Sequence, residues 1–591
     1  MSNNTNKTVS FISRQKNLII ALVIIFAILL VGYFTVIAPL MKDEVLPSDG
    51  SENVETLPGE VLLGNRIYIY ERLERGDIDK VVFHNPNNRE HDEKYVDWGF
   101  TVKLEKSEST GKTVANLYLD GYEYAPTDST LESYLVSGVT NMLVTSRVEK
   151  HATDLAKYGL EKADGNHDDE CVYFVLTTTK GKEYKLYIGD KIPSGAGYYV
   201  KSGDTVKDEG GKEYVRDSIY IVSASTIENA ALSSPVDVVQ PILGYPLQMT
   251  TDAIFDNFAL SSRDGRLDLL FRPVPSANKD AFGVFAALSV YEALVPAGYY
   301  ASAPFESLAE KFSEFNGYEV VELASLMKMK DELTGEEYDD YYFPEEVFAK
   351  YGLTEPQYSL FYSNSGFDSA MYFSDIQKDG YYYAYSLVFN TIVRVLPETL
   401  TFLTWEESKY IQSEVFQLGI DDCAEIKVSG TLGGQKIEET FELNGKGKEL
   451  KVNCSTGSIS DIANFRNYYI VLLQTCIQEK VPSDLDKEEL IKNEPALTFQ
   501  ITTHEKIVYK VDENGDSTSK LDYALEPVKR VFRFYQYTNG RFLCTIESID
   551  SDGVSSGESG EFYVRSFKVE KILSDTLKVR DGIEVDRRER V

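Results

Sequence analysis

One uninterrupted apolar stretch near the N-terminus, from Leu18 to Ala38, constrains this chain more than any other feature of its sequence. The stretch contains no charged residue. A helix of about 20 apolar residues crosses a hydrocarbon core of roughly 30 Å, so the stretch is long enough to span a bilayer once. We therefore predict a single transmembrane helix at residues 18–40, preceded by a tail at residues 1–17.

The charges that flank the apolar stretch predict its orientation. Lys7, Arg14 and Lys16 precede it, whereas Lys42 follows it and is succeeded at once by two acidic residues. An excess of lysine and arginine marks the cytoplasmic side of a membrane span. We therefore predict a cell-membrane protein with a cytoplasmic N-terminus and a large extracytoplasmic C-terminal domain.

A cleaved signal peptide and a buried core helix are the alternatives to a retained anchor. The apolar region of a signal peptide usually has about 7–15 residues and ends at a small-residue cleavage site. Here the run is longer, and Pro39 directly follows Ala38. An uncharged run of this length is also unusual in a soluble core, so the sequence favours the retained anchor.

Charge and composition restrict the classes of partner. The 591 residues include 94 Asp and Glu against 60 Lys and Arg, for a formal net charge of -34. Nucleic-acid binding needs clustered lysine and arginine to contact phosphates, so we predict no nucleic-acid partner. The acid excess serves solubility or attracts a cationic or metal-bearing partner. A hydrophobic content of 43% is enough for packed cores.

A repeated five-residue motif indicates that the chain is internally duplicated. Ala-Lys-Tyr-Gly-Leu occurs at residues 156–160 and again at residues 349–353, and similar strand patterns follow both copies. Segments such as 99–105 alternate strictly between apolar and polar residues, as half-buried strands do. Repeats indicate architecture more strongly than single motifs, so we predict an α+β fold of about three repeated units with antiparallel sheets.

The predicted boundaries follow from the order of these patterns. A tether occupies residues 41–65, because that segment is acidic and contains proline, serine and glycine. The first unit covers residues 66–246, the second 247–417 and a third, more diverged copy 418–591. The third copy lacks a clear Tyr-Gly-Leu and ends on two short segments, 562–564 and 569–573.

Four segments of the first unit, taken in order, are similar to a bacterial family. Their sequences are Lys157-Tyr-Gly-Leu160, Leu186-Tyr-Ile-Gly-Asp190, Gly197-Tyr-Tyr-Val200 and Ile219-Tyr-Ile-Val222. Over about residues 77–232 the chain resembles the bacterial domain of unknown function 4340. The copy at residues 350–403 matches less closely, since Ser374-Asp375 replaces Gly-Asp. The resemblance implies membrane anchoring near gliding-motility-type ABC transport systems, and it implies no catalytic residue.

The sequence predicts no catalytic and no cofactor-binding residue. Gly553-Val-Ser-Ser-Gly557 formally matches the serine-hydrolase elbow, but that motif lies between a strand and a helix, and here it lies in a Gly/Ser-rich loop. Gly111-Lys112-Thr113 resembles part of a phosphate loop, but Ser107 stands where that loop requires glycine. We therefore predict that the protein is not an enzyme.

No metal site and no disulfide framework is predicted either. The five histidines show no paired zinc spacing; they are His84, His91, His151, His167 and His504. Segments 91–93 and 167–170 are weak metal ligands or solvated loops, and segment 512–516 is a hairpin turn rather than a calcium loop. The five cysteines are scattered and are expected to be free thiols, with a Cys454–Cys476 bridge as the alternative; they are Cys171, Cys423, Cys454, Cys476 and Cys544.

These observations predict an interaction protein, a membrane-anchored extracytoplasmic accessory subunit of an ABC-type transport or cell-envelope complex. Its expected partners are the membrane and ABC-transporter membrane subunits or other envelope proteins. The alternative is a surface module that binds a glycan or peptide through its tyrosine-rich strands. The chain has 40 tyrosines, and Gly-Tyr-Tyr begins at residues 197, 298 and 380. Tyrosines in alternating strands are also ordinary cross-strand pairs.

Overall fold

Strands dominate the fold, with 42% of residues in strands and 19% in helices. The computed structural model describes residues 55–90, 93–107, 110–207, 211–248, 254–274, 283–285, 290–330, 334–511 and 517–588. The predicted α+β class is therefore wrong. Strands with alternating apolar and polar residues pair into large antiparallel sheets. By contrast, only three of the described α-helices are longer than six residues.

The predicted transmembrane helix at residues 18–40 and the tail before it lie outside the described residues. Across the described ranges, no helix is long and apolar enough to cross a membrane, and the longest has 15 residues. Within those described ranges, the structure does not show the transmembrane helix that the predicted fold class included.

The chain forms two compact units, Met1–Val239 and Gln240–Val591. The first unit contains one eight-stranded antiparallel sheet with the order β5-β4-β3-β7-β8-β9-β12-β6. Its strands are β1 (Val61–Leu63), β2 (Arg66–Tyr68), β3 (Ile78–His84), β4 (Asp97–Lys106), β5 (Thr113–Leu119), β6 (Ser146–Glu149), β7 (Val172–Thr178), β8 (Glu183–Lys191), β9 (Gly197–Ser202), β10 (Thr205–Lys207), β11 (Glu213–Val215) and β12 (Ile219–Ser223). Its helices are α1 (Ser129–Thr140) and α2 (Ala224–Glu228).

Helix α1 shows how local sequence builds this unit. Asp128 caps the helix, since its carboxylate accepts the backbone N–H groups of Thr130 and Leu131 at 2.7 and 3.0 Å. Leu135 and Val139 lie four residues apart, so they share one face of the helix, and both are buried. The core of the unit also contains Phe83, which is fully buried.

The second unit contains two further eight-stranded antiparallel sheets. The second sheet has the order β15-β14-β13-β19-β20-β21-β22-β16. Its region contains β13 (Asn257–Ser262), β14 (Asp268–Pro273), β15 (Tyr291–Val295), α3 (Ala303–Glu306), α4 (Leu308–Phe312), β16 (Glu319–Leu323), β17 (Ser325–Lys330), β18 (Glu337–Tyr342), α5 (Glu345–Lys350), β19 (Tyr358–Asn364), β20 (Phe367–Phe373), β21 (Tyr382–Ser386) and β22 (Thr391–Val395).

The third sheet has the order β26-β25-β24-β23-β27-β30-β31-β32. Its region contains β23 (Cys423–Leu432), β24 (Gln435–Asn444), β25 (Lys451–Cys454), β26 (Gly457–Ser458), α6 (Ile462–Leu473), α7 (Lys487–Leu490), β27 (Leu497–Thr503), β28 (Lys506–Val511), β29 (Ser517–Leu525), β30 (Lys529–Thr538), β31 (Arg541–Ile549), β32 (Ser559–Arg565) and α8 (Ser566–Arg580).

The three sheets share a strand order. When the eight strands of a sheet are numbered along the chain, the first and second sheets both have the order 3-2-1-5-6-7-8-4. The third sheet keeps 3-2-1-5-6-7-8, but its fourth strand, β26, lies at the other edge. Beside its last strand, an isolated bridge joins Lys480 to Phe562. The boundaries predicted at residues 246/247 and 417/418 stay predictions.

Candidate functional site

The first copy of the repeated motif forms a tight turn that packs on the first sheet. Tyr158 donates its hydroxyl to Glu149 at 2.7 Å, and the Lys157 ammonium lies 2.9 Å from the same carboxylate. Hydrogen bonds from Lys157 and Tyr158 lower the pKa of the Glu149 carboxyl. Gly159 has a φ of +68°, which a glycine adopts without strain, and Leu160 is buried beside Tyr158.

The second copy repeats this geometry on the second sheet. Tyr351 donates its hydroxyl to Glu322 at 3.0 Å, and the Lys350 ammonium lies 3.5 Å from that carboxylate. Gly352 has a φ of +69°, and Leu353 is buried beside Tyr351. The polar atoms of both copies are therefore used internally, and we assign the motif to folding rather than to ligand binding.

The serine of the hydrolase-like motif lies in an exposed loop between β31 and β32. Ser555 donates its hydroxyl to Glu547, and the N–H of Gly557 donates to the Ser555 oxygen at 3.0 Å. Strand β32, rather than a helix, follows this loop. The geometry of a nucleophile elbow is therefore absent at Ser555 itself.

The lysine and glycine of the phosphate-loop-like segment lie in a hairpin turn. Gly111 has a φ of +66°, and the N–H of Ser107 donates to the carbonyl of Lys112 at 2.8 Å between β4 and β5. A glycine with positive φ at such a position forms the turn and carries no phosphate cradle.

Three of the described histidines each contact one neighbouring carboxylate, whereas the backbone N–H of His504 donates to the Asp422 carbonyl at 2.9 Å. Nδ1 of His84 lies 2.6 Å from Asp97, and the ring stacks on Tyr173 at 5.0 Å between centroids. His151 and His167 contact Asp217 and Asp164 in the same way; these contacts measure 3.1 and 3.2 Å. His91 and the whole of segment 512–516 lie outside the described residues. Within the part of the chain that is described, no group of three or more His, Cys, Asp or Glu could hold a metal ion.

All five cysteines are free thiols, so the alternative Cys454–Cys476 bridge is not formed. Burial raises the pKa of the Cys423 and Cys544 thiols far above the usual range. A thiol with a raised pKa is a poor nucleophile, because the thiolate is the reactive form.

The tyrosines of the three Gly-Tyr-Tyr segments pack against other side chains of the protein. Tyr299 and Tyr300 are buried, and Tyr199 packs on Tyr158 with ring centroids 5.0 Å apart. The Arg394 guanidinium lies 4.5 Å from the ring centroid of Tyr381. These tyrosines therefore form core and cation–π contacts within their own units.

A two-stranded ribbon outside the second sheet presents apolar side chains to solvent. We call β17 and β18 together the acidic ribbon. The two strands pair with each other, in a sheet of their own. Four of the large hydrophobic side chains in the ribbon are exposed by 39% to 49%: Leu326, Met327, Tyr338 and Tyr342.

Acidic residues share the second strand of the ribbon with these apolar side chains. Strand β18 contains Glu337, Asp339 and Asp340, and Glu336 directly precedes it. All four acidic side chains are exposed. At the base of the ribbon, Phe343 is buried and packs on Tyr385 with ring centroids 5.4 Å apart. The exposed part of the ribbon is thus anchored to a packed cluster.

A second feature is a cavity of about 550 Å³ at the start of α8, which we call the basic pocket. Within residues 55–588 as far as they are described, its lining includes no acidic residue and five cationic ones: Arg565, Lys568, Lys571, Arg587 and Arg588. The sequence did not predict this site, because these residues are separated along the chain. The one available signal was the pair of adjacent arginines near the C-terminus.

Comparisons with known proteins found no match. No family model, no curated protein and no solved structure matches the chain. The resemblance to the bacterial family therefore stays a prediction, and function is inferred from the two surface features above.

Proposed function

We propose that the protein is an interaction protein, an extracytoplasmic accessory subunit of an ABC-type transport or cell-envelope complex. The observation that carries this proposal is the acidic ribbon. It combines exposed apolar side chains with a run of carboxylates on a paired strand that lies outside the sheet. Three of the exposed apolar side chains, Met327, Tyr338 and Tyr342, share one face of the ribbon. Contiguous exposed apolar surface marks sites of protein association.

The register of the ribbon separates two chemically different faces. Met327 lies opposite Asp340, and Met329 lies opposite Tyr338, so one face combines thioether, aromatic and carboxylate groups. Methionine and tyrosine provide adaptable or flat apolar contact area, which suits binding of another protein. On the other face, Lys328 and Lys330 lie opposite Asp339 and Glu337. Asp340 is therefore the carboxylate on the apolar face, and that face supports a partner surface that joins apolar contacts to a cationic group.

Charge supports a cationic partner surface. The ribbon strand β18 belongs to a chain with a net charge of -34, so the whole protein repels acidic proteins and attracts basic ones. Electrostatic complementarity of this kind raises association rates and excludes wrong partners. We therefore propose that the ribbon binds a basic, extracytoplasmic surface of another protein in a membrane complex.

Placement at a membrane is supported by the sequence outside the described residues. The uncharged stretch from Leu18 to Ala38 follows three cationic residues, as expected for a membrane-associated segment with a cytoplasmic N-terminus. Attachment to the same membrane as the partner raises the effective concentration of the ribbon. A weak individual contact would then suffice for a stable complex.

Co-purification from detergent-solubilised membranes tests the proposal. We expect the full chain to enrich an ABC-transporter subunit, as identified by mass spectrometry. The double variant Met327→Ser with Tyr338→Ser removes apolar area from the ribbon and should reduce that enrichment by roughly tenfold or more, as at interface hot spots.

The matched control is Leu104→Ser, because Leu104 is 60% exposed on β4 of the first sheet. The control variant should retain the transporter subunit. Equal recovery with the ribbon variant and wild type, or recovery of neither a transporter nor an envelope-complex subunit by wild type, would contradict the proposed function.

A further inference from the structure

The basic pocket is formed by three segments that meet in the third sheet region. The junction of β32 and α8 supplies Arg565 and Lys568, the segment after α6 supplies Cys476, and the C-terminal segment supplies Arg587 and Arg588. A cavity of about 550 Å³ is in the size range of small-ligand sites. It is therefore large enough for a ligand well beyond a single water molecule.

The cations of this pocket are mostly without a protein counter-charge. Lys571 is 2.8 Å from the buried Asp575 carboxylate, so its charge is compensated. Arg565, Lys568, Arg587 and Arg588 form no ion pair within 4.0 Å among the residues that the structure describes. The nearby Asp586 carboxylate accepts the backbone N–H of Arg588 at 2.9 Å, and it forms no ion pair with these side chains.

This concentration of positive charge contrasts with the rest of the chain. Acidic residues outnumber basic ones by 94 to 60, yet among the described residues none of them lines the pocket. Like charges gathered in a concave site repel one another, and an anion in the site would relieve that repulsion. Burial lowers the pKa of Lys568, and the neighbouring Lys571 contributes, whereas Cys476 and Asp575 act in the opposite direction.

The walls of the pocket are fixed before any ligand binds. Asn464 of α6 accepts the N–H of Val585 and donates to the carbonyl of Ile583, both at 2.8 Å. The Lys571 ammonium donates to the carbonyl of Asp586 at 2.8 Å. These contacts hold the C-terminal segment against α6 and α8, so the arginines that follow are placed at the pocket. A preorganised site loses less conformational entropy on binding.

We propose that the basic pocket binds a phosphate group, carried either by a soluble phosphate ester or by a phospholipid head group. Several cations around one cavity suit an oxyanion with more than one charge or several acceptor oxygens. Arginine guanidinium groups bind phosphate oxygens through paired N–H donors, and lysine adds a point charge. This site is separate from the acidic ribbon and does not depend on the function proposed for it.

Isothermal titration of the purified full chain in an uncharged detergent tests this inference. The probes are inorganic phosphate, glycerol 3-phosphate and the short-chain lipid dihexanoyl phosphatidylglycerol. We expect at least one probe to bind wild type and to bind more weakly as sodium chloride is raised, because binding is electrostatic. Preference for the two soluble phosphates indicates a soluble ester, and preference for the lipid indicates a head group.

Two pocket variants and one charge-matched control complete the test. Arg565→Gln with Lys568→Gln, and separately Arg587→Gln with Arg588→Gln, should each weaken binding roughly tenfold to a hundredfold, as expected when hydrogen bonds to charged groups are lost. The control is Lys451→Gln with Lys529→Gln, which removes two exposed cations that do not line the pocket.

The control should bind the probe as wild type does. Circular dichroism melts establish that each variant is folded, and the second variant keeps the test valid if the first unfolds. Three results would overturn the inference: no binding of any probe to wild type, unchanged binding to both folded pocket variants, or equal loss of binding in the control.

Discussion

The first and second sheets each carry an Ala-Lys-Tyr-Gly-Leu turn between their fourth and fifth strands, whereas the third sheet has α7 before its fifth strand. Tyr158 and Tyr351 cover the later strands of their sheets. In the third sheet, Leu490 and Ile491 pack on a comparable cluster that contains Tyr535. In all three sheets, apolar side chains from the segment before the fifth strand pack on the later strands. The motif provides these side chains in the first two sheets, and α7 with Ile491 provides them in the third.

The third sheet also differs in the helix that follows its last strand. Helix α2 in the first unit spans five residues, whereas α8 spans 15 and carries two of the cations of the basic pocket. The strand order is therefore nearly the same in the three sheets, whereas the helices and ribbons attached to the strands differ. We expect functional sites in these attached elements, since the side chains of the shared strands are used for packing.

The largest expected loss of stability comes from substitutions in the buried strands that the three sheets have in common. Phe174 and Phe499 are each the third residue of the fifth strand in their sheets, and both are fully buried. Phe174→Ala and Phe499→Ala should each lower the free energy of unfolding by about 3–5 kcal/mol, since both leave a cavity in a packed core.

Each of these losses should be confined to one compact unit. The chain has two tryptophans, with Trp98 in the first unit and Trp405 in the second. Urea unfolding of the Trp405→Phe background therefore reports the first unit, and unfolding of the Trp98→Phe background reports the second. A Phe499→Ala variant that shifts the Trp98 transition as strongly as the Trp405 transition would break the comparison.

A smaller effect distinguishes the two motif copies. An alanine at Gly352 meets only the flexible side chain of Gln377, so Gly352→Ala should cost about 1 kcal/mol for the left-handed backbone. A Cβ at Gly159 would also meet the backbone nitrogen of Asp190 at 2.9 Å, so Gly159→Ala should cost more. The same single-tryptophan unfolding curves measure both, and the reverse order of destabilisation would refute this account of the motif.

Local sequence predicted individual strands well. The alternating segment 99–105 lies within β4. Apolar and polar residues that alternate over several positions indicate a strand with one buried and one solvated face. The pattern itself is therefore enough to predict the strand. The fold class was wrong because such strands are far more numerous than the helical patterns.

Other features depend on contacts that sequence order does not reveal. Segment 569–573 is part of the 15-residue helix α8, because Val569, Ile572 and Leu573 face the core at helical spacing. Short apolar runs of this kind do not distinguish strand from helix. The basic pocket could not be predicted, since Asn464 folds the C-terminal segment back toward α8 over a separation of more than 100 residues.

The central claim is that the acidic ribbon is a docking surface for a membrane complex, and photo-crosslinking in intact membranes tests it most directly. A photoreactive phenylalanine analogue is placed at Tyr338 of the ribbon and, in a matched chain, at Leu104 of β4. Both side chains are exposed, at 49% and 60%, so both probes can reach a partner. The account predicts a crosslink from position 338 to an ABC-transporter or envelope subunit, and none from position 104. A crosslink to that subunit from position 104 alone, or equal crosslinking from both positions, would contradict it.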